Sequence, residues 1–111
     1  MSYSTGKDGY KFKADAGRGR IVISGNISWA NEHFLRTDLE NYFEKIERIR
    51  RGGTEIRLED ARIDHSVLAE FVYWHRILRE AGGGLEISAD DKSKEAIELL
   101  RLCGNPIPLK N

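Results

Sequence analysis

The sequence predicts an α/β domain with a mostly parallel sheet, and three observations carry that expectation. Residues 10–15 alternate apolar and polar side chains and residues 20–25 form a β-branched run, the marks of two strands. Beyond them, three stretches of helical spacing alternate with short strand-like runs, the order that favours right-handed crossovers between parallel strands. The length, 111 residues with 40% apolar and 32% charged side chains, suits one core and leaves little for a second. The expected architecture is a four- to five-stranded sheet with an N-terminal hairpin strand and three helices. It forms a single domain over residues 1–111, with residues 1–9 as a flexible tail.

Each element has a local reason. Tyr10-Lys11-Phe12-Lys13-Ala14-Asp15 has the pattern of a half-buried strand, and Ala16-Gly17-Arg18-Gly19 supplies two glycines that tolerate the positive φ of a tight reversal. Arg20-Ile21-Val22-Ile23-Ser24-Gly25 then pairs back as a hairpin. Leu35, Leu39, Phe43 and Ile46 recur on one helical stripe, flanked by Phe34, Tyr42 and Ile49. Asn31 is the expected N-cap and Gly52-Gly53 the stop, with Arg48, Arg50 and Arg51 complementing the negative helix end. Thr54-Glu55-Ile56-Arg57-Leu58 reads as the third strand and residues 60–64 as a short loop. The second helix covers residues 66–81, with Leu68, Phe71, Val72, His75 and Leu78 on one face and Val67, Trp74 and Ile77 on its shoulder. Asp64 caps it and Gly82-Gly83-Gly84 ends it. Leu85-Glu86-Ile87-Ser88 is a fourth strand. The third helix, residues 92–103, is capped by Asp90 or Asp91, buries Ala96, Ile97, Leu100 and Cys103, and stops at Gly104. Pro106-Ile107-Pro108-Leu109 is an edge strand at most, since proline lacks a ladder donor.

Composition narrows the chemistry. Eighteen Lys+Arg balance eighteen Asp+Glu, so no net charge draws the chain to a phosphate backbone, and no aromatic platform accompanies the arginine cluster. Nucleic acid is not an expected partner. Direct membrane insertion is not expected either, because no apolar run approaches the roughly 20 residues of a spanning helix. The polar start lacks the apolar segment of a secretory signal. One cysteine excludes an intramolecular disulfide and suits a reducing, cytoplasmic setting. His33, His65 and His75 lack i, i+4 spacing and a partner thiol, so neither a metal nor another cofactor is expected. Gly82-Gly83-Gly84 leaves a helix rather than opening one, the wrong placement for a phosphate cradle. Glu59/Asp60 and Asp90/Asp91 read as turn and capping residues. No catalytic set emerges, and the chain reads as non-enzymatic.

One segment stands apart. Asp60-Ala61-Arg62-Ile63-Asp64-His65-Ser66-Val67-Leu68 joins a strand end to a helix start, at the carboxyl edge of a parallel sheet where ligands and partners dock. Ser66 places its hydroxyl in the first helical turn beside Asp64 and His65. A phosphate there would either be held by free helix amides or repel a partner through its charge. Alternatively, Asp64 and Ser66 are simply capping residues. Trp29 and Tyr73 are candidate exposed contacts.

The order and spacing of these pieces resemble the STAS domain of bacterial anti-sigma factor antagonists over about residues 20–104. Ile21-Val22-Ile23-Ser24-Gly25-Asn26-Ile27 is similar to the family's strand ending in Gly-Glu-Ile/Leu-Asp, and Ile63-Asp64-His65-Ser66-Val67-Leu68 to its apolar-Asp-Ser-Ser-Gly-Leu turn. Arg79 through Ile87 resembles the helix exit into the fourth strand, and Ala96 through Gly104 the ending of the third helix.

The resemblance implies a non-catalytic switch protein. Its partner would be an anti-sigma-type serine kinase that binds and phosphorylates it, with a phosphatase restoring binding. Ser66 is then the phosphorylation candidate, and Asp64, His65, Ser66, Val67, Trp29 and Asn26 the partner-binding candidates. The departures are specific. The family's usual acceptor position aligns with His65, the motif glycine is Val67, an aspartate common in the preceding strand is replaced near Arg57, and the family's closing helix has no counterpart before Asn111. Either Ser66 accepts the phosphate, or the domain binds constitutively without one, or His65 makes the site something else. The alternative role is that of an accessory subunit of a membrane transport complex, which holds its ATPase or permease without phosphorylation.

Overall fold

The computed structural model describes residues 2–5, 9–15, 17–45 and 52–110. Six strands form one sheet: β1 (Ser2–Thr5), β2 (Tyr10–Asp15), β3 (Arg20–Ile27), β4 (Gly53–Ile63), β5 (Gly84–Ala89) and β6 (Leu109–Lys110). Among the described residues three α-helices accompany them: α1 (Glu32–Lys45), α2 (His65–Glu80) and α3 (Lys94–Leu102), the last preceded by a 3₁₀ turn at Asp91–Ser93. The fold is the expected α/β class, with an antiparallel N-terminal hairpin and a parallel remainder. β1 and β2 pair antiparallel, as do β2 and β3, whereas β3, β4, β5 and β6 run parallel.

The N-terminal edge differs from expectation. The expected tail contains β1, whose Ser2 to Thr5 run opposite Asp15 to Phe12 and add an outer strand to the hairpin. At the other edge β6, which pairs Leu109 with Ile87 once Pro108 is passed, is the edge strand the sequence allowed there, and it is β1 that brings the sheet to six strands among the described residues. The expected end of the first helix, including Ile46, Ile49, Arg48, Arg50 and Arg51, lies outside the described residues.

The strands lie in chain order across the sheet. Right-handed crossovers between neighbours taken in that order put every connecting helix on the same face. Burial follows: Tyr10, Phe12, Ile21, Ile23, Ile56, Leu58, Leu85 and Ile87 alternate inward and meet Leu35, Leu39, Phe43, Phe71, Leu78 and Leu100 from the helices. The opposite face carries Lys11, Lys13, Arg20, Glu55, Arg57, Glu59 and Glu86, laced across strands by Arg20 with Glu55 and Lys110 with Glu86.

β4 is longer than its sequence pattern implied because it contains a bulge. Ser24 of β3 pairs with Glu59, but Gly25 pairs with Ala61, so Asp60 is an extra residue, at φ 48°. The bulge is pinned from the next crossover. Asp60 N–H donates to the Asp90 carboxylate (3.1 Å) and Ala61 N–H to the Ser93 hydroxyl (3.0 Å), which itself donates to Asp90 Oδ1 (2.8 Å). Asp90 and Ser93 thus serve the strand. The extra residue restores Ala61 to the core face and carries β4 on to Ile63, level with Ile27. The ends of β3 and β4 therefore stand side by side, and the two loops that leave them meet.

Candidate functional site

The site begins where β4 stops. Asp64 takes an extended conformation (φ −117°, ψ −173°) and caps α2. Its Oδ1 accepts Ser66 N–H (3.0 Å), Val67 N–H (3.3 Å) and the Ser66 hydroxyl (2.6 Å). Its Oδ2 reaches across to the loop after β3 and accepts Trp29 N–H (2.8 Å). Burial opposes the ionised form, but the Ser66 hydroxyl and the Trp29, Val67 and Ser66 amides outweigh it, holding the carboxyl below the usual aspartate value.

The β3–α1 loop is a frame for one side chain. Asn31 is buried; its Oδ1 accepts Ser28 N–H (2.8 Å) and its Nδ2 donates to the Asn26 carbonyl (2.9 Å). These bonds run back into the loop, and Asn31 holds the expected N-cap position directly before Glu32, its carbonyl accepting Phe34 N–H (3.1 Å). Between Ser28 and Asn31 the chain turns outward and leaves Trp29 79% exposed. An indole so placed on a bonded backbone is a ready contact for another surface.

The candidates separate on this geometry. Asp64, Ser66 and Trp29 form one bonded group, with His65 exposed at its rim. Asn26 is exposed on the adjoining strand end and contributes its carbonyl to the frame. Val67 is fully buried, so its side chain belongs to the core and cannot touch a partner. From His65 a groove of about 350 Å³ runs along α2 past Leu68, Val72, Tyr73 and Arg76 to Cys103. Cys103 corrects a second expectation: the helix ends at Leu102, and the thiol is exposed.

Sequence reasoning missed the clamp between the first two helices. Glu70, nearly buried on α2, accepts Arg36 Nε of α1 at 2.6 Å, and Arg36 also meets Glu32 at 3.0 Å. Burial and the adjacent Glu70 push the Glu32 carboxyl up against the pull of Arg36. The only sequence signal was an acid interrupting an apolar helix face. His75 fulfils its expected part-buried, hydrogen-bonded role, its Nδ1 accepting Leu85 N–H at 2.9 Å. Among the described residues no group of His, Cys, Asp or Glu could hold a metal ion, and no helix is long and apolar enough to cross a membrane.

The site is thus a capped helix start that presents a hydroxyl and an indole, on an α/β domain with the sheet's carboxyl edge beneath it. No protein-family model matches the chain, and no curated protein matches it.

Proposed function

We propose that this chain is a cytoplasmic, non-catalytic regulatory protein of the STAS type, acting in bacterial partner switching. It docks an anti-sigma-type serine kinase through the start of α2 and the Trp29 loop, and phosphorylation of Ser66 ends the docking until a phosphatase reverses it. The observation that carries the reading is Ser66 in the first turn of α2, its hydroxyl 2.6 Å from Asp64 and beside exposed His65 and Trp29. A phosphoryl group there adds about −1.5 to −2 of charge next to a carboxylate and opposes any partner that reads this edge. Nothing needs to refold.

Copurification from native cells, followed by incubation with the captured kinase and ATP, tests it. Mass spectrometry should place one phosphate on Ser66, and the modified chain should release the kinase. An unmodified Ser66 with binding intact sinks the phosphate switch and leaves the docking role.

One observation favours a second reading. Ser66 is half-buried and already donates its hydroxyl to Asp64, while the neighbouring acceptor position is His65. A constitutive binder, such as an accessory subunit holding a transport ATPase or permease, needs no free hydroxyl. Capture of a transporter ATPase instead of a kinase decides for it.

A further inference from the structure

On the reading that Ser66 lies in a docking site, we propose that Asp64 is a positioning residue that ties the presentation of Trp29 to the state of the Ser66 side chain. The two oxygens of this carboxylate are divided between two loops. Oδ1 serves the Ser66 hydroxyl and the first amides of α2, and Oδ2 serves Trp29 N–H. The indole is exposed and has little packing to hold it, so its placement rests on the backbone. On the strand side that backbone is fixed by Asn31; on the α2 side it is fixed by Asp64.

The coupling follows from the carboxylate being one planar group. Transfer of a phosphoryl group from a nucleoside triphosphate to Ser66 Oγ breaks the bond from the terminal phosphorus to its bridging oxygen and the serine O–H bond, forms the Oγ–P bond, and releases the nucleoside diphosphate and a proton to solvent. Oγ then has no proton to donate, and a charge of about −1.5 to −2 faces Oδ1. A rotation that relieves Oδ1 also carries Oδ2 away from Trp29 N–H. The indole loses its anchor at the moment the helix start gains its charge, so one modification alters both halves of the docking surface.

Amide hydrogen exchange by NMR on the full chain tests this without any partner. With phosphoserine encoded at position 66, the Trp29 amide should exchange about tenfold faster, while core amides such as Ile23 stay protected. Asp64→Asn keeps one oxygen to cap α2 but replaces the second acceptor by an NH₂ group, so the Trp29 amide should again lose protection. Ser66→Ala removes the hydroxyl and adds no charge, and should leave the Trp29 amide protected. An unchanged Trp29 amide in the phosphoserine protein or in Asp64→Asn overturns the coupling, and so does lost protection in Ser66→Ala. The docking role fails in a different place: copurification of neither a kinase nor a transport ATPase or permease would sink it whatever the Trp29 amide does.

Discussion

Gly25 and Trp29 sit four residues apart and show two ways a single position is constrained. Gly25 takes φ +93° where β3 passes the turn into β2, and a Cβ there would collide with the Gly9 carbonyl oxygen, which already accepts Asn26 N–H. The sequence singles out this glycine through its place at a strand end, but the reason lies in a neighbour sixteen positions away. Replacing Gly25 by Ala should lower stability by about 2–4 kcal/mol through strain and overlap. The urea midpoint should fall at an unchanged slope. A midpoint within error of wild type would mean that the hairpin relaxes at no cost. Trp29 is the opposite case, free at its side chain and bound at its backbone.

Among the elements, β4 and the turn after β5 are tied by side-chain bonds to the bulge. Ser93 is fully buried, accepts Ala61 N–H and donates to Asp90, so Ser93→Ala leaves a strand amide and a carboxylate short of a partner. The loss should be about 1–3 kcal/mol in chemical denaturation, with exchange rising at Ala61 while β2 stays protected. The same bulge explains why the strand was only half legible. Thr54, Ile56 and Leu58 alternate inward, then the count skips to Ala61. A period-2 reading therefore ends at Leu58 and assigns Glu59 and Asp60 to a loop. Cys103 misled in the reverse sense: the spacing from Ala96 through Leu100 points it inward, but the helix closes first, with Asn105 N–H on the Leu100 carbonyl. Local features read correctly. The Asp64–Ser66 cap and the glycine exit of α2, where Gly83 N–H reaches the Leu78 carbonyl at 2.8 Å, depend on spacings of a few residues. The Trp29–Asp64 bond spans 35 residues and the Arg36–Glu70 pair 34, and no periodicity carries such information.

For the molecule as a whole, the shifted groups define a stability profile against pH. Burial, then the Arg79 charge, lowers the His75 pKa from its ordinary 6.5. The unfolded chain binds that proton more readily, so stability is full above 6.5 and falls as pH drops through the depressed value. For Asp64 and Asp90, burial works against ionisation, but the hydrogen bonds they accept prevail and lower both carboxyls, extending the loss further into acid. Glu32 is shifted the other way and offsets part of it, its contribution being lost as pH rises. At the alkaline end Tyr10, buried and donating to Asp38, is pushed well above 10.0 and contributes stability that is lost as pH rises past the ordinary tyrosine range. Urea midpoints against pH should form a plateau from about neutral to the tyrosine range, with a shoulder on the acid side that His75→Gln removes. A wild-type curve flat from pH 7 to 5 would contradict the assignment for His75.

The sheet's chain-order arrangement also bears on how the polypeptide is built. No strand has to be inserted between two that are already paired, because each new one joins the outer edge of those before it. On a ribosome, the β2–β3 hairpin can close as soon as Ile27 emerges, and each later strand arrives with its template already made and a helix to cover the joint. Pairings between successive elements keep loop-closure costs low. Synthesis and assembly can therefore proceed in the same direction, with the Asp64 bond to Trp29 forming once β4 is in place and before most of the second helix has been made.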